Sequence, residues 1–139
     1  MADLHIDDFY KDAARILVQL YNAFPRKTTV YVEDISGPDS PDEYGIHSPR
    51  HQACFSAMLW LADEGYVRYE DTIRQEALDQ AVLTHKAFIL LNTPIPVSPD
   101  AGPLAERVSH IQRLRQAIAT GSSRVLGEAL SDFLTAPTR

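Results

Sequence analysis

Residues 48–92 read SPRHQACFSAMLWLADEGYVRYEDTIRQEALDQAVLTHKAFILLN, and the fold turns on how this stretch divides. Ser48-Pro49 has the form of a helix start. The hydroxyl can accept from a first-turn amide, and proline is tolerated at the first helical position because its missing N–H would have no partner there. The apolar run that follows reaches Glu64, and Gly65 supplies a residue free to turn left-handed and stop the helix. Beyond it, YVRYEDTIR (66–74) alternates as a strand does. ALDQAVLT (77–84) can return as the antiparallel partner, with Gln75-Glu76 at or near the tip. HKAFILLN (85–92) predicts a short apolar helix. The expectation is a buried rod, a β-ribbon beside it and a second short helix.

Working upstream, Phe9, Ala13, Ile16, Leu17, Leu20 and Phe24 recur at spacings of three and four, one apolar helical face. Asp7 and Asp8 precede it as cap and dipole partners, and Pro25 ends it. Thr28 to Val32 is β-branched and aromatic, which suits a short strand. SGPDSPDEYGIH (36–47) is turn-forming and acidic, a loop. Downstream, NTPIPVSPDAGP (92–103) holds four of the nine prolines and reads as a semi-stiff extended linker, able to span about 35 Å. Leu104, Val108, Ile111, Leu114, Ala117 and Ile118 then make one amphipathic face. Val125, Leu126, Ala129, Leu130, Phe133 and Leu134 make a second, with Gly121 between them, so residues 104–136 predict a helical hairpin.

Composition sets the outer bounds. A chain of 139 residues, 45% apolar, is one compact domain with an appendage, and needs neither disulfides nor a structural metal to bury a core. Residues 1–100 carry sixteen acids and eight bases, and residues 101–139 carry three acids and five bases, giving −6 overall. That balance is unfavourable for a polyanion binder. No apolar stretch approaches the roughly 20 residues of a membrane span. MADLHIDDFYKD (1–12) lacks the apolar segment of a signal peptide, and the single Cys54 cannot form an intrachain disulfide. These features lead us to expect a cytoplasmic protein. No phosphate-binding glycine loop, nucleophile elbow or H-E-x-x-H pattern occurs, so no cofactor and no enzymatic activity are expected.

Two strings bring a family into view. Leu61-Ala62-Asp63-Glu64-Gly65-Tyr66-Val67 resembles the exit from recognition helix to wing in winged helix-turn-helix proteins. Leu83-Thr84-His85-Lys86-Ala87-Phe88-Ile89-Leu90-Leu91 is similar to the L-T-x-K-G-x-x-L-L that leaves the second wing strand in MarR- and PadR-type bacterial regulators. Ala87 stands where that family has glycine, and the helix before the recognition helix is reduced to VEDI (32–35). The resemblance implies an α+β fold: a winged helix over residues 1–92, a linker over 93–103 and the hairpin over 104–136. It also implies a DNA-binding transcriptional regulator whose terminal helices pair two copies.

The residues themselves divide over that role. Arg50, His51, Gln52 and Ser56 lie near the start of the helix that would enter a major groove, where arginine and glutamine can read base edges. Arg68 and Arg74 sit on the wing, yet Glu70, Asp71, Glu76 and Asp79 leave it net negative. Cys54, Ala57, Met58 and Leu61 make one apolar stripe of the same helix and Phe55, Leu59 and Ala62 a second, with Trp60 between them, so it is apolar on nearly every side. A protein-interaction adaptor is therefore the alternative, with Phe55, Leu59, Trp60, Leu104, Val108, Ile111, Leu130 and Phe133 as contact candidates and a homodimer or a protein partner expected. The hairpin can fold back over Phe55 and Leu59 or pair with another copy; its stiff linker favours pairing. A membrane surface is not an expected partner.

Three smaller constellations carry weaker signals. His47 and His51 have the i, i+4 spacing of helical metal ligands, with Cys54, Asp42 and Glu43 near in sequence, but His47 precedes the helix cap; ordinary surface or helix-end histidines are expected and no metal. The carboxylate pairs Glu33-Asp34 and Glu70-Asp71 fall at strand ends, where acids commonly begin turns. Cys54 falls in an apolar stripe, which suits a small core residue better than a nucleophile. No catalytic residue is assigned.

Overall fold

The computed structural model describes residues 4–96, 102 and 107–136. In chain order it has α1 (Leu4–Ala23), β1 (Thr28–Tyr31), α2 (Val32–Ser36), α3 (Pro49–Asp63), β2 (Val67–Arg68), β3 (Asp71–Ile73), β4 (Ala77–Leu83), α4 (His85–Asn92), α5 (His110–Thr120) and α6 (Ser123–Leu134). The architecture is mixed α+β, with six helices and a small antiparallel sheet of four strands among the described residues.

Local chemistry accounts for most boundaries. Ser48 caps α3, its hydroxyl accepting from the His51 amide at 3.2 Å, and Pro49 occupies the first turn. Gly65, at φ 85°, ends the helix as expected and sends the chain into β2. Thr84 caps α4, and Ser109 and Gln112 form a reciprocal capping box on α5. Helix α1 begins at Leu4, earlier than the acids expected to precede it. Asp7 lies in its first turn, while Asp8 faces Arg50.

The sheet is centred on β4, with β1 on one side and β2 and β3 on the other. The ribbon is less regular than its alternation suggests. β2 and β3 share one register against β4, from Val67 opposite Leu83 to Ile73 opposite Ala77, but Tyr69 and Glu70 interrupt them. The facing residue is Gln80, whose φ of 53° is left-handed, and the register of β1 against β4 also shifts between Thr28 and Val30. An extra residue on the central strand bends it, as a β-bulge does. The Thr29 hydroxyl donates to Asp79 Oδ1 at 3.0 Å across this bend.

One apolar core runs through both halves of the chain. Leu17, Met58, Leu61, Leu78, Leu83 and Leu91 are buried in the same cluster as Leu114, Leu130 and Phe133. The hairpin of α5 and α6 lies against α1, with α5 also touching α4. Phe133 packs beside the Tyr66 ring at 5.5 Å, and the Tyr66 hydroxyl donates to the Leu134 carbonyl at 3.4 Å. Tyr10 lies so close to Gly127 that a Cβ there would stand 3.1 Å from its ring. The absence of a side chain at Gly127 lets α6 approach α1.

The proline-rich segment does not hold the hairpin at a distance. Ile95 donates its amide to the Val108 carbonyl at 2.8 Å, His110 donates to Thr93, and Pro94 faces Ser109 in an antiparallel bridge. The start of the expected linker, Thr93 to Ile95, therefore lies beside Val108 to His110 at the start of α5. Residues 97–101 and 103–106, including Leu104, lie outside the described residues.

Candidate functional site

The residues placed nearest to chemistry gather at the N-terminal end of α3, where that helix meets α1, the 37–48 loop and the tip of the β3–β4 ribbon. Two separate knots form there.

The first joins α3 to α1. Asp12 is only 1% exposed, on the inner face of α1. Arg50 grips both of its carboxylate oxygens, Nη1 to Oδ2 at 2.7 Å and Nη2 to Oδ1 at 2.6 Å, and its Nε lies 3.6 Å from Asp8. This fork-to-fork geometry is the strongest form of side-chain ion pairing. Hydrogen bonding to Asp12 raises the Arg50 pKa above its ordinary value. Cys54, one turn further along α3, is fully buried, and burial followed by the nearby Asp12 charge pushes its thiol up to about 12. It is a core residue with no accessible thiolate.

The second knot holds the loop. His47 and His51 stack face to face, ring centroids 3.7 Å apart and planes 6° from parallel. His47 Nδ1 lies 2.9 Å from Asp39 Oδ2, and the Ser48 amide donates to that same oxygen at 3.1 Å. Hydrogen bonding from Ser48 is the main reason the Asp39 carboxyl is held down to about 2. His51 is 2% exposed; its Nε2 meets the Gln75 carbonyl at 2.8 Å, and its Nδ1 has no hydrogen-bond partner among the described residues. The spacing of the histidines was visible in sequence, but the carboxylate beside them was not. Asp42 instead accepts from the Tyr44 and Ile46 amides in its own turn, and Glu43 is exposed.

The other candidates are scattered by the fold. Gln52 is exposed on α3 with its side-chain amide donating to the His47 carbonyl at 2.8 Å, and Ser56 is exposed on the same helix. Arg68 is exposed on β2, and Arg74 is exposed near the ribbon tip at φ 55°. Arg50 and His51, the proposed base readers, are turned inward and held by Asp12 and Gln75. Of the proposed contact residues, Ile111, Leu130 and Phe133 are buried by the hairpin's own docking, Val108 is half-buried, and Phe55 and Leu59 pack partly against the core. The hairpin docks on α1 and α4, so the expected cover over Phe55 and Leu59 is not where its main contacts lie, and its buried residues are not free to pair with another copy. Trp60 remains 38% exposed, with the edge of Phe9 at 5.2 Å.

A wide-open concavity of about 860 Å³ lies between α1 and α6, and the Arg113–Asp132 ion pair crosses its lining. The Ser131 hydroxyl donates to the Tyr10 hydroxyl at 3.4 Å within it. No helix among the described residues is long and apolar enough to cross a membrane. Compared with protein-family models, with curated proteins and with solved structures, the chain matches none.

Proposed function

We propose that this chain is a non-enzymatic protein-interaction module, which contacts its partner through the apolar surface around Trp60 and Phe9. The observation that carries this reading is the bidentate lock of Arg50 on Asp12. A groove-reading helix needs its first-turn side chains free to reach base edges. Here the arginine binds within the molecule and the histidine beside it is buried. Electrostatics point the same way. Glu70, Asp71, Glu76 and Asp79 outnumber Arg68 and Arg74 on the ribbon, which repels a phosphate backbone. Trp60 is an apolar anchor of the type enriched at interface centres, and the net charge of −6 suits a partner with a basic rim.

The competing reading, a DNA-binding winged-helix regulator, draws on the sequence resemblance and on exposed Gln52, Ser56, Arg68 and Arg74. Duplex binding at low and moderate salt separates the two. The regulator would show affinity that falls with salt and is lost on replacing Arg68 and Arg74 with alanine. The interaction module shows no such affinity. A photo-crosslinker replacing Trp60 then yields a discrete protein adduct in cell extract, while one replacing exposed Gln116 on α5 does not. Arg50→Ala is unsuitable as a DNA-contact probe, because it also strips a buried carboxylate of its partner.

A further inference from the structure

The Asp39, His47 and His51 cluster has a property that its hydrogen bonds do not explain. The Gln75 carbonyl can only accept, so the contact at 2.8 Å places a proton on His51 Nε2. In the neutral ring Nδ1 then carries a lone pair. That atom is buried, has no partner among the described residues, and lies 3.8 Å from Asp39 Oδ2, which is itself an acceptor. In that neutral form two electron-rich atoms face each other. A buried acceptor left in this state destabilises the fold.

A metal ion would resolve the conflict, and three further features fit one. The donor atoms of Asp39, His47 and His51 all lie within 4.8 Å of one another. Bonds of about 2.0–2.1 Å in a tetrahedral zinc site hold donors roughly 3.3 Å apart; the carboxylate oxygen is 2.9 Å from one histidine nitrogen and 3.8 Å from the other. One histidine also has the hydrogen-bonded outer partner that ligating imidazoles use to fix their orientation, and the other has a carboxylate just beyond hydrogen-bond reach. His51 has the Gln75 carbonyl, and His47 Nε2 has Glu76 Oε1 at 3.6 Å. When a metal takes His47 Nδ1, the ring proton moves to Nε2 and faces that carboxylate.

We propose that Asp39, His47 and His51 form a binding site for a divalent transition-metal ion of the zinc class, which fastens the 37–48 loop to the start of α3 and to the tip of the β3–β4 ribbon. Two imidazoles and one carboxylate select zinc, cobalt or nickel over calcium and magnesium, which take all-oxygen shells. The two rings splay from their parallel stack so that both lone pairs reach a common centre, and a fourth position is left to water or to another ligand. The site lies on the opposite end of α3 from the Trp60 surface, and its existence does not depend on how that surface is used.

The test uses the full chain, without a histidine tag and stripped of metal by a chelator. Zinc is titrated against a chromophoric competitor, and cobalt(II) is added as a spectroscopic reporter. One equivalent of zinc binds, cobalt gives visible bands of a four-coordinate site with nitrogen donors, and the thermal midpoint rises with metal. His47→Gln and Asp39→Asn each lower zinc affinity by at least about 100-fold, while Glu76→Gln lowers it up to about tenfold through the outer shell. Circular dichroism of the metal-free variants shows that they remain folded. No saturable zinc binding overturns the proposal. So does binding that survives His47→Gln, which would belong to His5, His85 or His110, and so does equal binding of calcium, which would belong to the acidic loop.

Discussion

Arg50 is the residue whose role changes most between sequence and structure. In the chain it stands in the first turn of an apolar helix, as a base-reading arginine would. In the fold it neutralises Asp12, a carboxylate on the buried face of α1, 38 residues away. The caps of α3 were readable because they are local: Ser48 and Gly65 act within a few residues of themselves. The ion pair was not, since no periodicity links positions 12 and 50. A clue lay in Asp12 itself, an acid directly before Ala13 and on the same side as Ile16. The same distinction applies at the histidines, where the i, i+4 spacing was legible but the loop geometry that delivers Asp39 was not. Removing one partner of a buried pair leaves an uncompensated charge and costs about 3–5 kcal/mol. Arg50 is partly exposed, so Arg50→Ala is expected near the lower end of that range, and Asp12→Ala comparably. The double variant should lose less than the two singles combined. Urea unfolding of the four proteins measures this, and additive losses would show that the pair is not coupled.

At the scale of elements, the strongest signals were the amphipathic faces. The spacing that marked α1, α5 and α6 corresponds to buried residues in each. The sheet was less legible. Its alternating pattern carries no mark of the left-handed Gln80 that divides β2 from β3, because glutamine rarely adopts that conformation and nothing local requires it. The proline-rich segment misled for a different reason. Proline favours extended backbone, and extended backbone serves equally to separate two units or to bring the chain back on itself, as the pairing of Ile95 with Val108 does. The direction is chosen by what α5 and α6 can cover. Phe133 is wholly buried among residues from both halves, so Phe133→Ala should cost about 3–5 kcal/mol. The loss should appear as a shift of one cooperative denaturant transition monitored at Trp60, a residue on α3. If only an α-helical signal in circular dichroism moved and Trp60 fluorescence did not, the hairpin would be an independent unit.

For the molecule as a whole, that continuity couples the titration of one residue to the stability of everything. His110 opens α5 with only 4% of its surface exposed and the edge of Phe133 at 5.7 Å. Burial, followed by the charge of Arg113, lowers its pKa from the ordinary 6.5, with Asp132 opposing. The folded protein therefore keeps His110 neutral at pH values where the unfolded chain has already taken up a proton. Proton uptake favours whichever state binds more protons, so this residue costs nothing well above about pH 6.5 and destabilises the fold progressively below it. The slope from one such group cannot exceed about 1.4 kcal/mol per pH unit. His110→Gln removes the titration while keeping a side chain of similar size. Denaturant midpoints of the wild type should fall between about pH 7.5 and about pH 5.5, and those of the variant should fall less. Because α5 shares its core with α1 and α4, the difference should register equally at Trp60 and in the helical signal. A pH response identical in both proteins would mean that His110 is solvated in solution, and that the hairpin is not seated against α1 as described.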